Sequence, residues 1–187
     1  MAGDQKEQFA YAASFKKYRT LESETIAALL WFIRRYVPSS PEARVIDIGC
    51  GPGQYALFLA SETPAKIFAT DLSRAMVLQG REQTNAHLVC WALSDACCLP
   101  FADESFDVLL LFMVLHQVSD PKKALQEAYS LLRPGGHCLI FTHSHRQLDQ
   151  QTLFRFFPEA RKVNKKRMPS LMKLKGLLPL SGSPSCG

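Results

Sequence analysis

The chain lacks any apolar run long enough to cross a membrane. Its longest run, residues 108–115, is about half the ~18 residues that a membrane-spanning helix requires. The first residues are polar and charged, among them Asp4, Lys6 and Glu7, and contain no apolar stretch typical of a secretory signal. These absences predict a cytoplasmic or nuclear protein with no membrane partner.

The cysteines lack the paired spacing of a zinc site, and an intracellular chain keeps its thiols reduced. We therefore predict no metal site and interpret the cysteines, most of them in or beside predicted strands, as small core residues. The adjacent thiols of Cys97 and Cys98 would suit a soft metal or a metalloid such as arsenic, although packing beside a loop is the commoner role. The six cysteines are Cys50, Cys90, Cys97, Cys98, Cys138 and Cys186.

Net charge is scarce in the body of the chain and concentrated in its last part. Residues 1–145 contain 13 Lys and Arg against 15 Asp and Glu, whereas residues 146–187 contain 9 against 2. The basic cluster at 161–167 could contact a phosphate or an acidic partner, but a solvated basic face is the commoner explanation. Binding to nucleic acid is therefore not expected.

One stretch of the chain combines a buried strand with closely spaced glycines. The apolar, largely β-branched run 44–48 predicts a strand, and helical spacing resumes at 54–60. Between them lie Gly49, Gly51 and Gly53, which predict a strand-to-helix turn whose backbone can approach a ligand closely. Such a turn binds a nucleotide-like group.

Strand and helix alternate along the rest of the chain. The predicted strands are 44–48, 66–71, 87–91, 106–112 running on to 116, and 137–142. Helices are predicted at 54–60, from Ser73 to about Gln83, and from Pro121 until Pro134-Gly135-Gly136 ends it. This alternation predicts an α/β fold with a doubly wound, mostly parallel sheet, helices on both faces and ligands at the carboxyl ends of the strands.

At 187 residues the chain is expected to form one domain. We divide it into an N-terminal helical cap (1–40), an α/β core (41–145), a partial lid helix region (146–175) and a disordered tail (176–187). Within the cap, a helix is predicted from an N-cap at Ser23 to Tyr36. Tyr18, which precedes it, either folds over a ligand or covers the core.

Three acids lie at the carboxyl ends of predicted strands, at one edge of the sheet: Asp47, Asp71 and Asp95. Asp71 lies 20 residues beyond Gly51, where an acid can accept hydrogen bonds from ribose hydroxyls. The glycine pattern alone also fits a dinucleotide site. Asp47 favours a different ligand, because a carboxylate at the mouth of the first strand suits a cationic amino-acid group.

The ordered motifs resemble those of class I S-adenosylmethionine-dependent methyltransferases, over roughly residues 9–160. The motifs are Val-Ile-Asp-Ile-Gly-Cys-Gly-Pro-Gly, the acid at 71, Ser-Asp-Ala with Leu-Pro-Phe and Ser-Phe-Asp, and Leu-Leu-Arg-Pro-Gly-Gly. The nearest branch is the small-molecule type, similar to type 11 and to ubiquinone/menaquinone methyltransferases. The resemblance implies a Rossmann-like methyltransferase fold with S-adenosyl-L-methionine as cofactor.

The resemblance also implies roles for individual residues. The loop glycines would flank the methionine part, with Asp47 reaching its ammonium group directly or through water. Asp71 would hold the ribose, and Asp95 with the backbone of Ala96 would meet adenine; Leu72 and Tyr18 complete the predicted cofactor-binding set. His116, at the exit of the fourth strand, would take a proton from the acceptor, or it caps the following loop.

The sequence departs from the resemblance after the fifth strand. Family members continue with a helix and an antiparallel strand pair, whereas 176–187 is too rich in proline and glycine to supply two strands. We therefore predict a sheet without its last two strands, and self-association through the exposed edge.

Three functions follow as hypotheses. The first is methyl transfer to an unidentified, small-molecule acceptor. The second is a non-catalytic or truncated cofactor-binding module that acts through a partner. The third is an NAD(P)-dependent oxidoreductase, which is disfavoured because the chain has no Tyr-x-x-x-Lys pair.

Overall fold

The structure, a computed structural model, describes residues 23–142. Its α-helices are α1 (Ser23–Tyr36), α2 (Gln54–Glu62), α3 (Arg74–Arg81) and α4 (Pro121–Ser130). Its strands are β1 (Arg44–Ile48), β2 (Lys66–Asp71), β3 (Val89–Leu93), β4 (Phe106–Phe112) and β5 (Leu132–Phe141), with a 3-10 turn at Ala86–Leu88. The segments 1–22 and 143–187, with the predicted lid, tail and first part of the cap, lie outside the described residues.

The five strands form one parallel sheet in the order β3-β2-β1-β4-β5. Strand order reverses between β1 and β4, and in open α/β sheets this switch point is where ligands bind, beyond the carboxyl ends of the strands. The predicted doubly wound α/β fold is confirmed. Whether the sheet lacks two further strands concerns residues beyond 142, outside the described part.

Side chains of β1 alternate between the two faces of the sheet, which is why both faces carry a core. Val45 belongs to the cluster that packs with α1 and α2. Ile46 and Ile48 belong to the other cluster, which includes Leu125 of α4. Because helices cover both faces, β1 and β4 are apolar nearly throughout, as expected of central parallel strands.

The opposite edge of the sheet, at the amino ends of the strands, is held by a side-chain cluster around Asp107. Its carboxylate accepts the Arg44 backbone N–H at 2.7 Å and two bonds from Arg133 Nη1 at 2.9 Å. The Arg44 guanidinium lies 4.8 and 5.0 Å from the ring centroids of Phe68 and Phe106. These contacts tie β1, β4 and β5 together away from the ligand edge.

The third strand begins later than predicted. Asn85 adopts a left-handed conformation (φ 64°), and residues 86–88 form a 3-10 turn before β3 starts at Val89. The prediction of 87–91 is therefore wrong by two residues. The observed register pairs Leu93 with Asp71.

The predicted boundary between the last helix and fifth strand is also wrong. Helix α4 ends at Ser130, and Pro134-Gly135-Gly136 lies inside β5 as a bulge. Pairing jumps from Phe106 with Leu132 to Val108 with His137. The breaker residues are absorbed because Gly135 takes the left-handed conformation that a bulge accepts (φ 80°).

The cysteines of the described residues differ in burial. Cys50 and Cys97 are buried as expected, but Cys90 and Cys98 are exposed, so their interpretation as core residues is wrong. Residues 23–142 contain no cluster of potential metal ligands. None of the described helices is long and apolar enough to cross a membrane.

Candidate functional site

The glycine loop between β1 and α2 is bound to the end of β2 by backbone hydrogen bonds. The N–H groups of Gly49 and Cys50 both donate to the Thr70 carbonyl, at 2.8 and 2.9 Å. Gly49 has φ 73°, and a Cβ there would lie 2.2 Å from Val114 Cγ2. Glycine is therefore required at 49 by backbone conformation and by packing against the loop after β4.

Asp71 at the end of β2 closes the other side of this loop. Its Oδ2 accepts the Gly51 N–H and its Oδ1 accepts the Ser73 N–H, both at 2.8 Å. Burial raises the pKa of the Asp71 carboxyl, and the two N–H bonds, from Ser73 and Gly51, partly offset that rise. Each oxygen retains a lone pair, so the carboxylate can also accept hydrogen bonds from a diol.

Asp47 is the most unusual polar residue of the site. Its side chain is 1% exposed, and neither carboxylate oxygen has a hydrogen-bond partner among the residues the structure describes. Burial, and secondarily the charge of Asp71, raises the pKa of Asp47 to about 7. A buried carboxylate without a partner is costly, and a cationic ligand would remove that cost.

Cys50 lies inside the loop but does not offer a thiolate. Its Sγ lies 3.4 Å from the Gly51 carbonyl oxygen, to which the thiol donates. Burial, followed by the charges of Asp47 and Asp71, raises the pKa of the thiol well above its ordinary value. The loop is therefore built for binding by backbone and carboxylate groups, and not for attack by a cysteine.

Asp95 and its neighbours lie beyond the end of β3. The Asp95 carboxylate accepts the Cys97 N–H at 2.8 Å, and the Cys98 N–H donates to the Asp95 carbonyl at 2.9 Å. Ala96 is buried, whereas Leu72 is 71% exposed at the neighbouring strand end. Leu93, which the sequence did not single out, is 54% exposed and pairs with Asp71 across the strands.

The chain turns sharply where β4 ends. Met113 has φ 55°, rare for a non-glycine residue, and its N–H donates to the Phe141 carbonyl at 2.8 Å. The prediction that β4 continues to His116 is therefore wrong, and His116 lies half-buried in the following loop. Gln117 Nε2 donates to the Met113 carbonyl at 3.2 Å and lies 3.3 Å from His116 Nε2.

The structure brings most of the predicted site residues to one edge of the sheet. Hydrogen bonds connect Gly49 and Gly51 to Thr70 and Asp71 at the end of β2, and Asp47 lies two residues before Gly49 in β1. Gly53 begins α2 as its N-cap, with φ 80°. Leu72, Asp95 and Ala96 follow the adjoining strands, His116 follows β4, and Tyr18 lies outside the described residues.

Fold and site together define a doubly wound α/β protein with a glycine loop and a buried carboxylate, Asp47, at the switch point of its sheet. Residues 46–140 match the family model described as a methyltransferase domain. The chain belongs to the class I S-adenosylmethionine-dependent methyltransferases, which confirms the resemblance drawn from its motifs and the cofactor that it implies.

The chain is similar to methyltransferases and also to a protein described as a cyclase. The ubiquinone/menaquinone biosynthesis C-methyltransferase UbiE of Dinoroseobacter shibae is 36% identical over 106 residues, 54% of this chain and 42% of that protein. The Haemonchus contortus phosphoethanolamine N-methyltransferase 2, solved with phosphomonomethylethanolamine and S-adenosylhomocysteine, is 25% identical (TM-score 0.68; 92% of this chain, 40% of that one). The (4+2)-cyclase SpnF is 28% identical (TM-score 0.56; 65% and 46%). The chain spans less than half of the length of that UbiE relative.

Proposed function

We propose that the protein transfers a methyl group from S-adenosylmethionine to a small-molecule acceptor. The observation that carries the proposal is the buried Asp47 carboxylate, which has no hydrogen-bond partner within residues 23–142 and lies beside the glycine loop. The cofactor's ammonium group is a charge that fits this carboxylate, and a charge-assisted hydrogen bond would offset its desolvation. The similarity to C-methyltransferases of quinone biosynthesis supports a small organic acceptor.

The other residues of the edge have complementary roles in this proposal. Asp71 accepts hydrogen bonds from the ribose hydroxyls with the lone pairs that Gly51 and Ser73 leave open. Leu72 and Leu93 offer exposed apolar surface to the adenine, next to Asp95 and Ala96. The core 41–142 thus holds the cofactor. Tyr18 and the lid region 146–175 stay predictions as further contacts.

Methyl transfer from this cofactor does not require a nucleophilic side chain of the protein. The cofactor supplies a sulfonium-activated methyl group, so the chain mainly aligns the acceptor and excludes water. We place the acceptor beside the turn at Met113, where His116 can accept a proton from an oxygen, nitrogen or carbon acid. An amide nitrogen only donates, so the lone pair of His116 Nε2 faces Gln117. To act as a base there, His116 Nε2 must lose its hydrogen bond from Gln117 and accept one from the methyl acceptor instead.

A second candidate function is cofactor binding without methyl transfer. The similarity to a cyclase of the same fold favours it, because this fold also serves an activity that is not named as methyl transfer. Partner binding, and self-association through the outer edge of β5, belong to this second candidate. In the described residues, β5 pairs only with β4.

Calorimetric titration with S-adenosylhomocysteine tests the first step of the proposal. We expect saturable binding by the full chain, strong loss of binding in Asp47→Asn, and no heat with NAD⁺ or NADP⁺. Asp107→Asn is the matched control, since it changes a carboxylate at the opposite sheet edge. Absence of binding by the wild-type chain would overturn the proposal. Turnover on a panel of phenolic, quinol and amine acceptors then separates the two candidates.

A further inference from the structure

The indole ring of Trp91 packs against two glycines that belong to different helices. A Cβ at Gly53, which begins α2, would lie 2.1 Å from Trp91 Cη2. A Cβ at Gly80, inside α3, would lie 2.4 Å from both Cη2 and Cζ3. The outer part of the six-membered ring therefore occupies the space that a side chain at either position would need.

Gly80 has no other evident reason to be glycine. It lies in the last turn of the eight-residue helix α3, without the positive φ that a glycine ending a helix usually has. At a helical φ, glycine favours the helix less than alanine does. The position is explained if the helix must approach the indole this closely. The next nearest atom to a Cβ at Gly80 is the Pro52 carbonyl oxygen, at 3.2 Å, which is also part of the glycine loop.

A hydrogen bond holds the indole in addition to its packing against the glycines. Its Nε1–H donates to the Ala86 carbonyl at 3.0 Å, in the 3-10 turn before β3. A pocket of about 380 Å³ adjoins the indole and is lined by Arg81, Ala86, His87, Val89 and Trp91 itself. The hydrogen bond to Ala86 fixes the orientation in which the indole contacts the two glycines.

Gly53 links this packing to the ligand loop. Its N–H donates to the Cys50 carbonyl at 3.0 Å, and its carbonyl accepts the Leu57 N–H at 2.8 Å. The first of these bonds closes the loop, and the second belongs to the first turn of α2. A shift of Gly53 would displace both the loop and the N–H groups at the start of α2, which favour a negatively charged ligand group.

We infer that Trp91 is a positioning residue for the glycine loop, and that its indole holds Gly53 and Gly80 in the arrangement that receives the cofactor. The inference rests on the proposed function for the ligand, and on packing alone for the contact. Because the indole contacts Gly53 and Gly53 is hydrogen-bonded within the loop, we expect cofactor binding at the loop to alter the surroundings of the indole.

Single-tryptophan variants test the coupling, because the chain has only two tryptophans. Trp31→Phe leaves Trp91 as the only indole, whereas Trp91→Phe leaves Trp31, which is 63% exposed on α1. Phenylalanine also lacks the ring atoms that touch the glycines and the Nε1–H donor. We expect saturating S-adenosylhomocysteine to change the emission of Trp31→Phe but not that of Trp91→Phe. The affinity should fall about tenfold in Trp91→Phe and stay unchanged in Trp31→Phe.

A second pair of variants reads the packing without ligand. Gly80→Ala should lower the melting temperature and the cofactor affinity of the wild type, because the methyl group displaces the indole. In Trp91→Phe the same change should raise the melting temperature, because the space is open and alanine favours the helix. A double-mutant cycle in melting temperature measures this reversal.

The outcomes separate the two proposals. No binding of S-adenosylhomocysteine by the wild type would overturn the proposed function. Equal affinities of Trp91→Phe and wild type, with a silent Trp91 emission, would overturn the positioning role alone. An equal loss of melting temperature on Gly80→Ala in both backgrounds would show that the indole is not what restricts this position, and would overturn the packing argument.

Discussion

Two carboxylates that lie on neighbouring strands of the same sheet differ in their hydrogen bonding. Asp107, near the start of β4, accepts three hydrogen bonds, from Arg44 and Arg133. Asp47, near the end of β1, has none within the described residues, although it is 1% exposed. The first is bound because it stabilises the fold. The second is left open at the switch point of the sheet, which is the arrangement expected of a group that binds a ligand.

The difference has an energetic meaning. A buried polar group normally has a partner, and exceptions need an explanation. Burial raises the pKa of the Asp47 carboxyl to about 7, so near neutrality this carboxyl is partly uncharged. The uncharged form is less costly to bury without a partner. Ionised Asp47 is therefore unfavourable in the ligand-free protein, whereas the hydrogen bonds of Asp107 are favourable at the opposite edge.

The largest expected effect is on the stability of the ligand-free protein as pH changes. The pKa of Asp47 is raised from 3.8 to about 7 on folding, so the native state holds the proton more tightly. Its contribution to stability is present below pH ~4 and is lost as pH rises toward 7. The loss amounts to about 4 kcal/mol, from 1.36 kcal/mol per unit of pKa.

Urea unfolding between pH 4 and 8, with and without Asp47→Asn, measures this loss. The variant should be more stable than the wild type at pH 8, and the difference should shrink toward pH 4. A smaller slope should remain in the variant because the pKa of Asp71 is also raised. Parallel curves for the two proteins would contradict the assignment of the slope to Asp47.

The next effect is on ligand affinity, and it has the opposite sign. S-adenosylhomocysteine carries the ammonium group and should bind the ionised form of Asp47, so binding should release a proton and strengthen as pH rises to about 7. Below that pH the affinity should fall about tenfold per unit. Asp47→Asn should lose about 2–5 kcal/mol of binding at pH 8. Calorimetry in buffers of different ionisation enthalpy counts the protons released on binding. Binding without proton uptake or release would contradict the pairing of Asp47 with the ammonium group.

At the other edge, Asp107→Ala should lower stability and leave binding unchanged. It leaves the Arg44 N–H and the Arg133 guanidinium without their acceptor, in a pair whose side chains are 40% and 22% exposed. We expect a loss of about 1–3 kcal/mol of unfolding free energy, with an affinity for S-adenosylhomocysteine within about twofold of wild type. A large loss of affinity would show that the two edges are not independent.

The comparison also shows what the sequence could predict. The bounds of β1 and β2 match, because each is an apolar run with clear breakers at its ends. Asp47 and Asp71 could be predicted at the ligand edge for the same reason, because the carboxyl end of a parallel strand lies at that edge of the sheet. The start of β3 was missed because a left-handed Asn85 allows a 3-10 turn that periodicity does not reveal. The start of β5 was missed because Pro-Gly-Gly marks a bulge as readily as a break.

Other features depend on contacts between distant residues. The packing of Trp91 against Gly53 and Gly80 joins β3 to two helices, and no local pattern indicates it. The same is true of the bonds that Arg44 and Arg133 make to Asp107. Burial without a partner at Asp47 is likewise a property of the assembled sheet. Sequence alone identified the acid, and only the packing showed that the fold leaves it unsatisfied.

The smallest effect tests how the Asp107 edge is held. Arg133 Nη1 donates to both oxygens of Asp107 from a half-exposed position, so solvent screens much of its charge. Arg133→Lys keeps the charge but loses the planar donor group, and we expect a loss of about 0.5 kcal/mol in unfolding free energy. Arg133→Met, which loses the charge as well, should cost more, and both should bind S-adenosylhomocysteine like the wild type. If the lysine and methionine variants lose the same unfolding free energy, the donor geometry and not the charge of Arg133 stabilises this edge. If the lysine variant is as stable as the wild type, the charge alone accounts for the stabilisation.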